Sequence, residues 1–207
     1  MVATQSKSNK RQQQREKSRA SVLNAAAQLF ADLGYDGASL GAVATEAGIS
    51  KQNLLYYFPD KEQLWKDTIV HVFDQVNVEL ARELEDFDET EAPLRHIIRA
   101  YFAVCRRHRA YVVIPMIEGT KDTWRSRFIT DRYLKDHIVA FEFYIDRMRK
   151  AGQLPQVDAV YLQNLIAGGA QLFLALSPLW NRALGVDTQS EEFFEGYENA
   201  ISTMLGL

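Results

Sequence analysis

Two short helical stretches joined by a glycine constrain this chain more than any other feature. From Ser39 to Lys61 it reads SLGAVATEAGISKQNLLYYFPDK. Ser39 is placed to cap a short helix over 40–47, which Gly48 breaks. Ser50 is placed to cap a second helix over 51–58, which Pro59 ends. Ala44 is small where two steeply crossed helices must touch, and Gly48, four residues on, supplies the positive φ of the turn cheaply. Val43, Ala47, Ile49 and Leu54 provide the apolar faces that lock the crossing angle. A plain helical hairpin inside a bundle could use Ala and Gly at the same spacing. The first turn of the second helix separates the two readings, because Lys51, Gln52 and Asn53 are the side-chain types that meet phosphates and base edges in a major groove. Leu54 and Phe58 read as core. Tyr56 and Tyr57 cannot both be core on so short a helix.

The flanking periodicity is helical throughout. Val22, Ala26, Leu29, Phe30 and Leu33 predict one face of a first helix from Arg15 to Gly34. Asp60 caps a fourth helix with the stripe Trp65, Ile69, Val72, Phe73, Val76, Leu80 and Leu84. An acidic loop over 85–91, closed by Pro93, precedes further helices over 94–107, 110–118 (bent at Pro115), 122–150 (broken near Thr130), 158–177 and 190–205, with Gly152 and Pro155 as stop signals. No run reads as a strand and no repeat is visible. The expected fold class is all-α: a flexible basic arm over 1–14, a three-helix helix-turn-helix head over 15–60, and a larger helical effector-binding and dimerisation body over 61–207.

Charge follows the same division. The net charge is −3, yet the first 66 residues carry nine Lys and Arg against six Asp and Glu, and the rest is acidic. A basic end on an acidic body is the asymmetry of a chain that meets a polyanion at one end. The single cysteine, Cys105, cannot form an internal disulfide; with no secretory pattern at the N-terminus, a cytoplasmic location is expected. Cys105 reads as a buried small residue rather than a redox switch. The greasiest stretch, 165–180, is interrupted by Gln171, Ser177 and Pro178 and is too short to span a membrane. His71, His96, His108 and His137 make no metal-ligand pair, and there is no phosphate loop. Gly168 and Gly169 lack the strand and third glycine of a dinucleotide site and more plausibly let two helices approach. No enzyme, cofactor or metal is expected.

Over 25–64 the sequence AAAQLFADLGYDGASLGAVATEAGISKQNLLYYFPDKEQL resembles the TetR (tetracycline-repressor-like) regulators, above all in LFADLGYDGAS, AGIS and YYFPDKEQL. The resemblance implies a homodimeric transcriptional regulator whose two heads sit in successive major grooves of operator DNA, with a small-molecule effector that weakens that binding. By position it implies that Lys51, Gln52, Asn53 and Leu55 face the groove. Tyr56 and Tyr57 would meet the backbone and nearby bases, and Ser39 and Lys61 the phosphates. Leu55 departs from the family pattern, where a polar residue or tyrosine is common, and offers only apolar contact. NLLYYFP also resembles regulators of pyrimidine utilisation, which would make the effector a small polar molecule of that kind.

The last two predicted helices carry wide apolar faces. Phe193, Phe194, Tyr197, Ile201, Met204 and Leu205 lie on one; Leu162, Leu165, Ile166, Phe173 and Leu176 lie on the other. They are expected to form a two-fold interface as well as core. An effector pocket is expected in the body, with Phe73, Phe102, Arg106, Tyr144, Asn164 and Gln171 as candidate lining residues, the two amides because buried amides need partners. The fourth helix is expected to act as a lever between head and body.

Overall fold

A computed structural model describes residues 2–85, 93–154 and 156–206. Among them every regular element is helical and there is no strand. The chain divides into two compact units, Met1–Asp74 and Gln75–Leu207.

The first unit begins with α1, Val2–Gly37. The flexible arm expected over 1–14 is instead the start of this helix. The stretch is rich in Gln, Lys and Arg, good helix formers, with no Gly or Pro to stop it; Gln12 donates to Glu16 one turn on at 3.1 Å. Gly34 interrupts α1 at φ 68°. Val22, Leu23, Ala26 and Phe30 are buried along one face, whereas Leu33, expected on that stripe, is 52% exposed. Next come α2, Leu40–Glu46, α3, Lys51–Tyr57, and α4, Lys61–Glu83. Each of these three starts on a side-chain cap. Ser39 accepts from the Ala42 N–H, Ser50 from Asn53 and Asp60 from Gln63. The unit closes at Asp74, inside α4, rather than at residue 60. The first half of α4 completes the head's own core: Leu64, Trp65, Thr68 and Ile69 are fully buried.

The second unit holds α5, Pro93–Arg107; α6, Arg109–Glu118; α7, Trp124–Ile129; α8, Lys135–Lys150; α9, Ala159–Gln163; α10, Gly169–Ala175; α11, Ser177–Leu184; and α12, Glu191–Leu205. Thr130–Leu134 joins α7 to α8 as a π-helical turn, and Asn164–Gly168 joins α9 to α10 in the same way. The break expected near Thr130 is therefore a widening of the helix rather than an end. Helix α11 was not anticipated. It bends 84° away from the preceding helical run, with Pro178 in its first turn and Gly185 in the left-handed region as its C-cap. The expected stop signal Pro155 and most of the acidic loop fall outside the described residues.

Helices α5, α10 and α12 share an aromatic core. Phe102 lies 5.3 Å from both Phe194 and Tyr197, and Phe173 lies 5.5 Å from Tyr197. The Tyr197 hydroxyl donates to the Leu165 carbonyl in the second π turn at 3.1 Å. It passes so close to α10 that a Cβ at Gly169 would lie 1.8 Å from that hydroxyl. Gly169 is thus the close-approach glycine; a Cβ at Gly168 would meet nothing within 4 Å. Between α12 and α5, Glu198, 3% exposed, accepts from Arg95 at 2.7 Å and from Arg99 at 3.0 Å. Burial alone would raise the Glu198 carboxyl; the two guanidinium groups outweigh it and hold the group below its ordinary range.

Candidate DNA-reading face and effector cavity

The corner between α2 and α3 is built from the residues the spacing singled out. Val43, Ala44 and Leu54 are buried, Gly48 takes φ 68°, and the Ile49 N–H returns to the Ala44 carbonyl at 2.9 Å. Ser50 satisfies the Asn53 N–H at 3.1 Å, which fixes the first turn of α3. With Leu54 and Phe58 turned inward, the outer face of α3 presents Lys51, Gln52, Asn53 and Leu55, the last 40% exposed. Tyr56 is 70% exposed and Tyr57 half-buried, and their rings meet edge to face at 5.4 Å. The Ser39 Oγ caps α2 at 3.1 Å and keeps its own hydrogen for an outside acceptor. Lys61 is engaged within the unit: its Nζ donates to the Asp36 carbonyl at 3.3 Å and lies 4.6 Å from the Tyr35 ring centroid.

Two arginines of α1 belong to this face and were missed by sequence reasoning. Arg15 donates to the Tyr56 hydroxyl at 3.2 Å with its guanidinium 5.6 Å from the ring centroid. Arg19 pairs with Asp67 at 2.5 Å and covers the Phe58 ring. Both partners lie more than forty residues away in sequence. Only the four-residue spacing of Arg15 and Arg19 could have signalled a shared helix face.

The second unit encloses a cavity of about 320 Å³. Helix α8 supplies one wall through His137, Ala140, Phe141, Tyr144, Ile145 and Met148, a single helical stripe at three- and four-residue spacing. Leu80 of α4, Ile97, Ile98 and Tyr101 of α5, Tyr111 of α6 and Gln171 of α10 complete much of the rest. Both π turns contribute, through Leu134 and through Ile166 and Ala167. Such turns recur where a helix is bent to a functional purpose. The Gln171 amide donates to the Tyr101 hydroxyl at 2.7 Å. Burial pushes the Tyr101 hydroxyl far up and the His137 imidazole down, so both are neutral at physiological pH. Burial likewise pushes the Cys105 thiol up to about 12, against a smaller opposing hydrogen bond from Tyr101, which leaves it a poor nucleophile.

Of the residues proposed from sequence for a pocket, Tyr144 and Gln171 line the cavity. Phe102 is spent in the aromatic core, Arg106 donates to the Gln189 carbonyl at 2.9 Å, Asn164 donates to the Val160 carbonyl at 2.8 Å, and Phe73 is buried in α4 within the first unit. Among the described residues no group of three His, Cys, Asp or Glu could hold a metal ion, and no single helix is long and apolar enough to cross a membrane.

A capped pair of short helices with an exposed polar first turn defines a helix-turn-helix DNA-binding protein. Residues 22–68 match the model of the bacterial regulatory proteins of the tetR family. The HTH-type transcriptional regulator RutR of Escherichia coli strain K12 is 28% identical over 179 residues, spanning 84% of this chain and 81% of the relative. Among solved structures, AibR in complex with isovaleryl coenzyme A and operator DNA superposes with a TM-score of 0.72 at 19% identity, covering 91% of this chain and 97% of that one. The ketosteroid transcriptional regulator KstR2 of Mycobacterium tuberculosis gives 0.71 at 20% identity, covering 90% and 94%. Residues 22–68 are therefore a DNA-binding domain of the tetR type, and the chain is similar to HTH-type transcriptional regulators over most of its length.

Proposed function

We propose that the chain is a homodimeric repressor that a small molecule, held in the cavity of the second unit, releases from its operator. The observation that carries the reading is the outer face of α3, where Lys51, Gln52 and Asn53 stand exposed on a helix whose inner side is fully buried. These three and Leu55 read base edges; Tyr56, held by Arg15, and Tyr57 flank them, and the Ser39 hydroxyl meets a phosphate. Lys61, already engaged with Asp36 and Tyr35, contributes its positive charge rather than a freely reaching arm. Support for a two-fold contact comes from the apolar side chains that α10 to α12 leave exposed, namely Leu172, Leu176, Leu179, Leu184 and Met204.

Release follows from α4, a single helix from Lys61 beside the reading helix to Glu83, with Leu80 in the cavity wall. Two recognition helices must stay about 34–36 Å apart to meet successive major grooves. A ligand that shifts the far end of α4 breaks that match, and a 100-fold loss of DNA affinity requires about 2.7 kcal/mol of coupling.

The test is operator binding by fluorescence anisotropy across salt and variants. Affinity is expected to fall steeply between 50 and 200 mM salt, by roughly three to five decades if each subunit neutralises several phosphates. Gln52→Ala is expected to cost about 1–3 kcal/mol on the true operator and to relax preference at one position per half-site. Tyr56→Phe is expected to weaken all sequences alike. Binding that ignores salt, or a uniform loss in both variants, overturns the reading face.

A further inference from the structure

The cavity says what kind of molecule it admits, an inference that rests on its being the effector site. No Asp, Glu, Lys or Arg is found among the described residues that line it. Its polar atoms are those of Tyr101, Tyr111, Tyr144, His137, Gln163 and Gln171, and the rest of the wall is aliphatic or aromatic carbon. A carboxylate or phosphate drawn into such a site loses its hydration and finds no counter-charge to replace it. An ammonium group meets the same penalty inside the wall. Apolar surface, in contrast, gains by burial against Leu80, Ile97, Ile98, Phe141, Ile145 and Met148.

One polar feature gives direction. The Gln171 amide gives one of its two N–H donors to the Tyr101 hydroxyl at 2.7 Å. The Tyr101 hydroxyl in turn is bonded to the Cys105 sulfur. What the pair has left over is the Gln171 carbonyl oxygen with the second amide N–H beside it, an acceptor and a donor that together suit a ligand bearing one hydroxyl. The volume, about 320 Å³, lies at the small end of small-molecule sites.

We propose that the effector is a small, uncharged, predominantly apolar molecule with one donor group, such as an alcohol, seated with that donor toward Gln171. The small polar effector suggested by the NLLYYFP resemblance fits this wall poorly, because most of its hydrogen-bonding groups would be buried without partners.

The experiment uses the full-length protein and displacement of the neutral dye N-phenyl-1-naphthylamine at pH 8, where His137 is neutral and decanoate is ionised. 1-Decanol is expected to displace the dye at a concentration at least tenfold lower than decanoate or decylammonium. Ala167→Phe, which fills the cavity, is expected to abolish displacement. Tyr144→Arg, at a half-exposed wall position that tolerates a charge without refolding the core, is expected to bring decanoate level with decanol or ahead of it. Gln171→Leu is expected to weaken decanol by about two- to tenfold, the span of one modest hydrogen bond, and to weaken its methyl ether less, because the ether lacks the donor that the carbonyl takes. Equal displacement by decanoate and decanol in the unmodified protein overturns the proposal. So does a preference for decylammonium, or a Tyr144→Arg variant with an unaltered ratio. Operator binding is read in parallel. If decanol occupies the cavity and DNA affinity does not change, the ligand class stands and the effector reading falls.

Discussion

The head and the body join their helices by different means. In the head, α2, α3 and α4 each start on a side chain, Ser39, Ser50 and Asp60, that satisfies a backbone N–H of the first turn. In the body, α7, α9 and α12 start in the same way on Thr123, Asp158 and Ser190, but α8 and α10 start without any side-chain cap, out of π turns that keep the chain helical while changing its phase. A capped start is a local event, fixed by two or three residues. A π turn is held by distant groups, as when the Tyr197 hydroxyl of α12 donates to Leu165 across 32 residues. The body thus adds long-range decisions, at its two π turns, to the short-range ones that start the helices of the head.

The largest test of that contrast is Trp65→Ala. Trp65 is fully buried in the first unit, and truncating it is expected to cost about 3–5 kcal/mol. Calorimetry is expected to resolve a lowered head transition with the body's transition in place; one joint shift would break the division. Gly169→Ala comes next. The added Cβ meets the Tyr197 ring, which Phe102 and Phe173 hold in position, so about 1–3 kcal/mol is lost. A Tyr197→Ala change made together with it is expected to be strongly non-additive in urea unfolding, and simple additivity would mean that the contact is not the cause. Ser50→Ala removes one cap and is expected to cost about 1 kcal/mol of stability. Operator affinity is expected to drop along with it, because the same first turn carries Lys51, Gln52 and Asn53.

The smallest effect concerns Glu198. Its carboxyl is held below the unfolded value of about 4.3, so its contribution is complete above that pH and is lost as pH falls through the folded value. Between pH 5 and pH 3 the unmodified protein is therefore expected to lose more stability than Glu198→Gln. The difference is small because Arg95 and Arg99 are 38% and 65% exposed and water screens both pairs. Equal acid sensitivity of the two proteins would show that the arginines do not hold the carboxyl.

Short-range decisions are legible in a sequence and long-range ones are not. The caps Ser39, Ser50 and Asp60, the breaker Gly48 and the buried Leu54 and Phe58 could be read directly, because each acts within one helical turn. Tyr144 and Gln171 could be proposed as cavity residues. Phe102 and Asn164 look equally suitable in sequence, yet one is taken by Phe194 and Tyr197 and the other by the carbonyl one turn before it. Arg15 gave no sign of its partner, since Tyr56 is 41 residues away; its spacing from Arg19 signals only a shared helix face. Helix α11 did carry a local signal, Pro178 at its start and Gly185 at its end, which reads as a helix only once Pro is taken as a first-turn residue rather than a stop.

The π turn at Thr130–Leu134 also makes the cavity a matter of counting. A π turn holds one residue more than the α-helical ladder needs, so α8 is offset in phase from α7 by a single residue. Deleting one residue from that turn would let the ladder close to α-helical pitch, and α8 would keep nearly its present rotation. The stripe from His137 to Met148 would go on facing the cavity. No residue of the stripe would have been altered. A single-codon deletion is thus absorbed at this turn, whereas the same deletion inside α8 has no spare residue to absorb it and would turn part of the lining away.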